Sequence, residues 1–379
     1  MRLAFCLFKY FPYGGLQRDF KHIIEQCLAR GHTVDIYALE WQGDSIPGTS
    51  LTVINVKALS NHRRYYLFAK QVLARLQAEQ YAAVIGFNKM PGLDFYYAAD
   101  PCYTVKMATL RHPLSRLSLR YRCLAALERA VFAADGHCHV LHLTDLQKQD
   151  FIDYYHTPAT RFHLLPPGIA RDRLPPVNHR DIGRGIRQEL GIDADDKLLL
   201  MVGSGFKTKG LDRALRSVAA LPAELRRQVR FVVIGQDKPD SFIQMAKSLG
   251  IKDNVTILPG RTDIPRFLFA ADCLIHPAYS ENTGTVILEA IVAGLPVLAT
   301  DVCGYANHVT QSGCGQLITS PFDQTTMNQQ LLDMLRTEEQ GQWSARGVAY
   351  GESEDLYDMP NFVVSLVESA GQAKELANG

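Results

Sequence analysis

Two glutamates follow a predicted strand at Cys273–His276 and stand with seven residues between them. Glu281 falls in the loop after that strand, and Glu289 falls in the early turns of the next predicted helix. A helical carboxylate can accept hydrogen bonds from two vicinal hydroxyls, such as those of a ribose. The backbone amides that begin the helix can bind a phosphate. These amides belong to Asn282, Thr283, Gly284 and Thr285.

The same two glutamates also have simpler interpretations. Glu281 as a helix cap and Glu289 as an exposed helix residue are the alternatives. Glu289, however, stands inside the apolar run 286–291. A carboxylate in such surroundings is costly unless it is paired, so the sequence predicts a dedicated partner for it.

Two glycine-rich turns bring backbone amides and positive charge to the starts of helices. Gly14 and Gly15 follow the first predicted strand, and the run 203–210 follows a strand that begins the second half. Lys207 and Lys209 in the second turn can supply the positive charge that a diphosphate leaving group requires. Neither turn has the GxGxxG order of dinucleotide-binding proteins or the GxxxxGK[ST] order of a P-loop. The alternatives are an ordinary strand-to-helix turn and two solvated lysines.

These residues must be positioned by strands that alternate with helices along the chain. Residues 2–8 read as a strand, 16–30 as a helix and 33–39 as the next strand. Seven later strands are predicted at 82–87, 137–143, 198–202, 230–235, 255–258, 273–276 and 297–300. This alternation predicts an α/β protein with parallel sheets covered by helices on both faces.

The alternating pattern begins twice, at residue 2 and again near Lys197. Between the two series lies the polar stretch 166–196, which the glycine and prolines at 166–168 punctuate. We therefore predict two doubly wound domains, 1–166 and 167–356, that face each other across a cleft. Since ligands of such sheets bind beyond the carboxyl ends of the strands, we expect the chemistry in that cleft.

The composition is that of a globular protein. The chain has 379 residues, of which 47% are hydrophobic and 21% charged, with a net charge of +1. This charge provides no overall field for nucleic acid. No run of about 18 apolar residues could span a membrane, and the first residues lack the features of a secretion signal. We therefore expect a cytoplasmic protein that does not bind nucleic acid.

The sequence predicts no metal site. Asp193 and Asp195 form a DxD triplet, but they precede a predicted strand, whereas a metal-binding triplet of this kind is expected to follow one. We interpret them as residues of a solvated connector. The eight cysteines are scattered without a CxxC pair, so we expect most of them to be reduced core residues.

The spacing of Glu281 and Glu289, with Gly14-Gly15 and Lys209-Gly210 after the first strand of each half, resembles the retaining glycosyltransferases of family 4. That resemblance implies the GT-B architecture of two Rossmann-like domains facing across a cleft. Longer blocks, spread through almost the whole chain, resemble the lipopolysaccharide core glucosyltransferase I family of Gram-negative bacteria. These blocks are residues 8–20, 86–94, 98–100, 165–169 and 302–306.

The resemblance implies transfer of a hexose from a UDP-sugar to an inner-core heptose of lipopolysaccharide, and glucose is the hexose it favours. It also implies retained anomeric configuration. A transfer in which Lys209 and helix amides hold the charge of the leaving diphosphate needs no metal, so we expect no metal or other cofactor. In such enzymes the position of Glu289 binds the ribose, that of Glu281 lies by the sugar, and that of Lys209 neutralises the diphosphate. Gly14 and Gly15 would approach the diphosphate from the other domain.

Four further residues match family positions with less defined roles. Asp19 and Asp100 correspond to positions facing the cleft, with acceptor orientation or proton handling as possible roles. Arg173 corresponds to a residue near the phosphates, and Arg261 lies near where the family holds the base. A C-terminal helix at about 357–379 is expected to cross back to the first domain.

Departures from the family pattern keep alternatives open. Some relatives carry an arginine before Lys209, which in this chain is either replaced by Lys207 or missing. Lys207 would supply a point charge in place of a bidentate guanidinium. The loop after Glu281 also differs from some relatives, which leaves a UDP-N-acetylhexosamine donor open. A UDP-sugar epimerase and a non-catalytic nucleotide-sugar-binding regulator are further alternatives, although the presence of both glutamates argues against the regulator.

Residues 103–132 form a basic stretch with interleaved leucines. One acidic residue, Glu128, opposes six basic ones: Lys106, Arg111, Arg116, Arg120, Arg122 and Arg129. Such a pattern is typical of an element that lies on an anionic membrane surface, and a helix with a solvated basic face is the alternative. Because the acceptor implied by the resemblance is lipid-linked, we expect peripheral binding to the cytoplasmic face of the inner membrane.

Overall fold

The computed structural model describes residues 1–110, 112–145 and 148–378. The chain divides into two compact units. The first comprises Met1–Gly168 together with Asp358–Gly379, and the second comprises Ile169–Tyr357.

The first unit is built on a sheet of seven parallel strands. They are β1 (Arg2–Tyr10), β2 (Thr33–Trp41), β3 (Thr49–Val53), β4 (Ala83–Gly86), β5 (Phe95–Ala98), β6 (His139–His142) and β7 (Phe162–Leu164). Their order across the sheet is β3-β2-β1-β4-β5-β6-β7. The direction in which strands are added therefore reverses between β1 and β4, and such a switch point is where doubly wound sheets bind ligands.

Helices cover both faces of this sheet. Within the segments up to residue 168 they are α1 (Gly15–Ala29), α2 (Asn61–Ala78), α3 (Tyr103–Leu110), α4 (Leu119–Phe132) and α5 (Lys148–Tyr155). Because side chains alternate along a strand, Leu3 and Phe5 of β1 join one core with α1, while Ala4 and Cys6 join a second core with α2 and α4.

The second unit repeats this plan with six parallel strands. They are β8 (Lys197–Val202), β9 (Val229–Ile234), β10 (Val255–Leu258), β11 (Cys273–His276), β12 (Val297–Thr300) and β13 (Gly315–Ile318). The order is β10-β9-β8-β11-β12-β13, so the switch point lies between β8 and β11. Leu198 and Leu200 of β8 enter one core, and Leu199 and Met201 enter the other.

Nine helices of the described residues belong to the second unit. They are α6 (His179–Glu189), α7 (Leu211–Ala220), α8 (Ala223–Arg227), α9 (Asp240–Ser248), α10 (Ile264–Leu268), α11 (Thr285–Val292), α12 (Asn307–Ser312), α13 (Gln324–Arg336) and α14 (Gln340–Ser353). Helix α6 corrects the interpretation of 166–196 as a polar connector. Its apolar stripe is narrow, with Ile186 fully buried and Gly183 close to the backbone of Phe269.

The last helix, α15 (Met359–Asn378), belongs to the first unit. Met359, Val363, Val364 and Val367 are at most 1% exposed and pack in the same core as Leu3 and Phe5. Near the surface, the Arg30 guanidinium donates a hydrogen bond of 2.8 Å to the Glu368 carboxylate. The first unit thus takes part of its core from the end of the chain.

The prediction of two doubly wound parallel sheets is confirmed, although four short strands were missed. These are β3, β5, β7 and β13. All eight cysteines lie within the described residues and are buried free thiols, as predicted. None of the described helices has the length and apolar character that a membrane span requires.

Candidate active site

Two loops emerge side by side at the switch point of the second unit. Strand β8 continues into residues 203–210, and its neighbour β11 continues into residues 277–284. Each loop leads into a helix whose N-cap is a glycine, Gly210 for α7 and Gly284 for α11. Since glycine has no side chain, neither N-cap residue makes a side-chain hydrogen bond to the first-turn amides of its helix. Amides at the start of a helix can bind an anion.

The backbones of these two loops pack closely against each other. Gly210 has a φ of +77°, and a Cβ atom added to it would lie 2.0 Å from the carbonyl oxygen of Pro277. The Tyr279 amide donates a hydrogen bond of 2.8 Å to the Thr208 carbonyl. Only glycine fits at position 210 because it combines the left-handed conformation with this close approach.

This packing brings Lys209 and Glu281 together. The Lys209 ammonium forms an ion pair with Glu281 Oε2, and both side chains are largely buried. Burial lowers the pKa of Lys209 to about 8, and the neighbouring Cys303 thiol opposes that shift. His276, the last residue of β11, places its Nε2 atom 3.3 Å from the same carboxylate oxygen.

The loop that carries Glu281 is fixed from its other side. The backbone of Glu281 forms a parallel bridge with Cys303, and the Tyr305 amide donates a hydrogen bond of 2.8 Å to the Thr283 carbonyl. Asn282, Thr283 and Thr285 are half-buried at the start of α11. These residues and Gly284 therefore form an ordered turn beside the Lys209–Glu281 pair.

Glu289 has the partner that its apolar surroundings predict. It is 4% exposed, and the Nε atom of Arg173 lies 3.4 Å from its Oε1 atom. Arg173 is 7% exposed and also donates a hydrogen bond of 2.6 Å to Asp172. Arg173 and Glu289 thus form a buried ion pair in which Arg173 orients the carboxylate. Their predicted contacts with phosphate and ribose stay predictions.

Two other predicted donor residues lie further out. Lys207 is exposed in the β8 loop. Arg261 donates two parallel hydrogen bonds of 2.7 Å to Asp263, and this pairing raises the pKa of the guanidinium. The structure therefore gives Arg261 a carboxylate partner of its own, and its place near the base stays a prediction.

Three predicted residues of the first unit lie after β1. Gly14 is the N-cap of α1, which begins at Gly15. A Cβ atom added to Gly14 would lie 1.9 Å from Gln17 Oε1, and the Gln17 side-chain amide donates a hydrogen bond of 2.8 Å from Nε2 to the Lys9 carbonyl. Asp19 is 8% exposed on the same helix, and its carboxylate accepts a hydrogen bond of 2.8 Å from the Tyr97 hydroxyl.

Asp100 is exposed just after β5, and the segment that follows it is firmly anchored. The Lys89 ammonium donates hydrogen bonds to the Pro101 carbonyl at 2.8 Å and to the Glu128 carboxylate at 2.5 Å. Glu128 is fully buried on α4 and also accepts from the amides of Tyr103 and Thr104 at 2.7 and 3.0 Å. Burial would raise the pKa of Glu128, but Lys89 and these amides hold it below its ordinary value.

The predicted absence of a metal stays a prediction. Within residues 1–110, 112–145 and 148–378, no three His, Cys, Asp or Glu side chains are grouped as a metal site would require. Asp193 and Asp195 are exposed in the connector before β8.

Sequence reasoning missed two residues that shape this site. His276 is the last residue of the predicted strand before Glu281, and its signal was a polar residue at the end of an apolar strand. Arg213 on α7 gave no signal. Its guanidinium lies 3.6 Å from the ring centres of both Tyr279 and Phe322, and it donates hydrogen bonds to the carbonyls of Pro277 and Ala278 at 3.1 and 3.0 Å.

Two protein-family models match the chain. The one described as Glycosyltransferase Family 4 matches residues 13–173, and the one described as Glycosyl transferases group 1 matches residues 184–347. The two matches fall largely on the first and second unit respectively.

The chain is also similar over its length to one curated protein. It is 44% identical over 376 residues to the lipopolysaccharide glucosyltransferase WaaG of Escherichia coli (strain K12), which covers 97% of this chain and 98% of the relative. The crystal structure of WaaG, a glycosyltransferase involved in lipopolysaccharide biosynthesis, matches with a TM-score of 0.92 and 43% identity. That match covers 96% of this chain and 99% of the other.

A more distant solved structure shares the fold. The crystal structure of Anabaena HepE in complex with UDP-glucose matches with a TM-score of 0.75 and 18% identity, covering 97% of this chain and 100% of the other. At that identity the likeness concerns the arrangement of strands and helices alone.

Proposed function

This chain belongs to the lipopolysaccharide glucosyltransferase family, and we propose that it transfers glucose from UDP-glucose to an inner-core heptose of lipopolysaccharide. It is a UDP-sugar-dependent glycosyltransferase of the GT-B class. The observation that carries the proposal is the buried contact of Lys209 with Glu281 at the switch point of the second unit. A cation and a carboxylate held together there match a diphosphate and the sugar attached to it.

We propose a counterpart in the second unit for the diphosphate, the ribose and the sugar of the donor. The diphosphate meets the Lys209 ammonium and the backbone amides at the start of α11, because the ammonium is a cation and the amides carry partial positive charge. The ribose hydroxyls donate to Glu289, which Arg173 holds in place. The sugar lies against Glu281. A UDP-N-acetylhexosamine is the alternative donor, since it shares the diphosphate and ribose and differs at the sugar.

We propose transfer with retained configuration by attack on the same face from which the diphosphate leaves. The bond between the anomeric carbon and the diphosphate oxygen breaks, and the acceptor oxygen forms a new bond to that carbon. The departing phosphate oxygen takes the proton of the acceptor hydroxyl, so atoms and charges balance. Lys209 and the helix amides stabilise the charge that develops on the diphosphate, and we propose that no metal is needed for this step.

Asp19 and Asp100 are the residues of the first unit that we propose for the acceptor. Asp100 is exposed, and the anchored Lys89–Glu128 pair fixes the segment after it. Asp19 is held by the Tyr97 hydroxyl. Orientation of the heptose hydroxyl or transient proton binding is the role proposed for these carboxylates.

The proposed reaction predicts release of UDP that depends on both substrates. Purified protein is incubated with UDP-glucose, UDP-N-acetylglucosamine or UDP-N-acetylgalactosamine, each with and without heptose-terminated core lipopolysaccharide. We expect release with UDP-glucose and acceptor, α-linkage in the product by NMR, and the same rate in EDTA. If UDP is released from a UDP-N-acetylhexosamine and acceptor but not from UDP-glucose and acceptor, the N-acetylhexosamine replaces glucose in the proposal. Tight UDP binding without release from any donor would favour the regulator.

We also propose that the basic stretch 103–132 binds the cytoplasmic face of the inner membrane. The side chains of Leu114, Leu117 and Leu119 are 67%, 76% and 51% exposed. Five basic residues are exposed with them: Lys106, Arg116, Arg120, Arg122 and Arg129. Arg111 lies outside the described residues. Because Glu128 is buried against Lys89, it does not offset this surface charge.

The membrane proposal predicts that neutralising three arginines releases the protein from anionic vesicles. Each basic residue near an anionic surface contributes about 1 kcal/mol, so Arg116→Gln, Arg120→Gln and Arg122→Gln together should weaken binding about a hundredfold. Flotation with vesicles containing phosphatidylglycerol measures this. A triple variant of Lys238, Lys247 and Lys252 to Gln, exposed lysines of the second unit, removes the same charge and should still float. Equal flotation of both triple variants would contradict the assignment of membrane binding to the basic stretch 103–132.

A further inference from the structure

His276 is a buried histidine directly behind Glu281. It is 1% exposed at the end of β11, and its Nε2 atom lies 3.3 Å from Glu281 Oε2. Its Nδ1 atom is buried and has no hydrogen-bond partner among the described residues. The contact with Glu281 is therefore the polar interaction that the structure gives this ring.

The protonation state of His276 follows from these surroundings. Burial, and in second place the Lys209 charge, lower the pKa of His276 to about 3, so the imidazole is neutral near pH 7. A neutral imidazole has one N–H group, and an ionised carboxylate can only accept. The proton must therefore lie on Nε2, which donates to Glu281 and leaves Nδ1 as a bare acceptor.

Lys209 and His276 share one carboxylate oxygen, but they differ in what else they can reach. Lys209 is bonded to Glu281 Oε2 in the structure, and it is also the cation assigned to the donor diphosphate. A diphosphate carries more negative charge than a carboxylate and draws the ammonium toward itself. His276 is enclosed within the second unit and cannot follow the ligand.

We propose that His276 is a positioning residue that keeps the Glu281 carboxylate aimed at the sugar when Lys209 turns to the diphosphate. This role rests on the proposed function, and His276 acts through Glu281 without touching the substrate. Strand β11 fixes the His276 ring, and the ring binds Glu281 Oε2. The Oε1 atom of Glu281 then stays available to the sugar. A polar group at this buried position is thereby explained, since burying an imidazole for packing alone is unfavourable.

The test compares replacements that keep or remove the N–H donor. His276→Gln retains a side-chain N–H at a similar reach, whereas His276→Leu and His276→Phe remove it. For each variant, kcat and KM with UDP-glucose, the Kd for UDP and the Tm are measured beside the wild type. We expect the Leu and Phe variants to lose about ten- to hundredfold in kcat. The Kd for UDP should stay within about twofold because UDP lacks the sugar, and the Gln variant should recover most of the kcat.

Each outcome bears on a different proposal. Wild-type kcat in a folded Leu or Phe variant would overturn the positioning role, and so would a Gln variant as slow as the apolar ones at an unchanged Tm. A loss of UDP affinity equal to the loss of kcat would also overturn it, because that pattern indicates a disturbed nucleotide site. Should both apolar variants fail to fold, the Gln variant with normal kcat supports the role and a slow, folded one contradicts it. Absence of transfer by the wild type would overturn the proposed function itself.

Discussion

Glu281→Gln is expected to lower kcat about 100- to 1,000-fold while the protein keeps its fold and its affinity for UDP. Glycosyl transfer passes through a transition state in which the sugar carries positive charge. The Glu281 carboxylate lies beyond the carboxyl end of β11, held by Lys209 and His276. The amide of glutamine has the same shape without the negative charge, so it loses stabilisation that matters most in the transition state.

The measurement is the steady-state kcat and KM with UDP-glucose and acceptor, beside UDP binding by calorimetry. Glu224→Gln on α8 removes the same charge from an exposed position outside the site and should leave all values unchanged. Turnover by Glu281→Gln at the wild-type rate would remove Glu281 from the mechanism. A loss confined to KM would instead assign it to uniform binding of the donor.

Lys209→Met is expected to lose about 100- to 1,000-fold in kcat/KM and about 10- to 100-fold in UDP affinity. The variant keeps an apolar stem of similar length but has no charge to place against the diphosphate. Lys209→Arg keeps the charge and should retain a large part of both values. Equal loss in the Met and Arg variants would contradict a charge-based role, since it would show that only the exact lysine shape fits.

The same residue predicts a pH dependence whose sign can be worked out. Burial lowers the pKa of Lys209 to about 8. Below that pH the ammonium is present and UDP binds fully; above it, binding must first restore the proton, so affinity falls by up to about tenfold for each pH unit. Lys209→Arg should remove this fall between pH 8 and 10. Glu281→Gln should move its onset to lower pH, because the carboxylate that favours the ammonium is gone.

Most of the fold could be predicted from the sequence because its strands are continuous apolar runs between glycine-rich turns. Strands β8, β11 and β12 are buried on both faces, and their runs stand out against polar neighbours. Among the missed strands, β13 lacks that contrast. β13 begins with Gly315 and a polar residue, and a Cβ atom at that glycine would lie 2.0 Å from the Val297 carbonyl. Such a close backbone approach is a property of the sheet and leaves no periodic pattern.

The sequence predicted which charged residues belong to the candidate site but not how they pair. Glycines and charges at the strand ends pointed to Lys209, Glu281 and Glu289, because doubly wound sheets bring those ends together. Which charges pair with one another could not be read from spacing. The Arg173–Glu289 contact joins residues more than a hundred positions apart, and Arg213 reaches the β11 loop from a neighbouring helix. Contacts of this kind depend on helix orientation, which a single sequence does not specify.

The return of α15 to the first unit has a consequence for how the protein is made. As the chain leaves the ribosome, the first sheet emerges early, yet the core beside Leu3 and Phe5 stays unfilled until Met359, Val363 and Val364 have been synthesised. The second unit is continuous in sequence and has all its strands by Ile318. The part translated later can therefore complete its core first, and the apolar surface beside Leu3 and Phe5 stays uncovered in the nascent first unit until α15 has been synthesised.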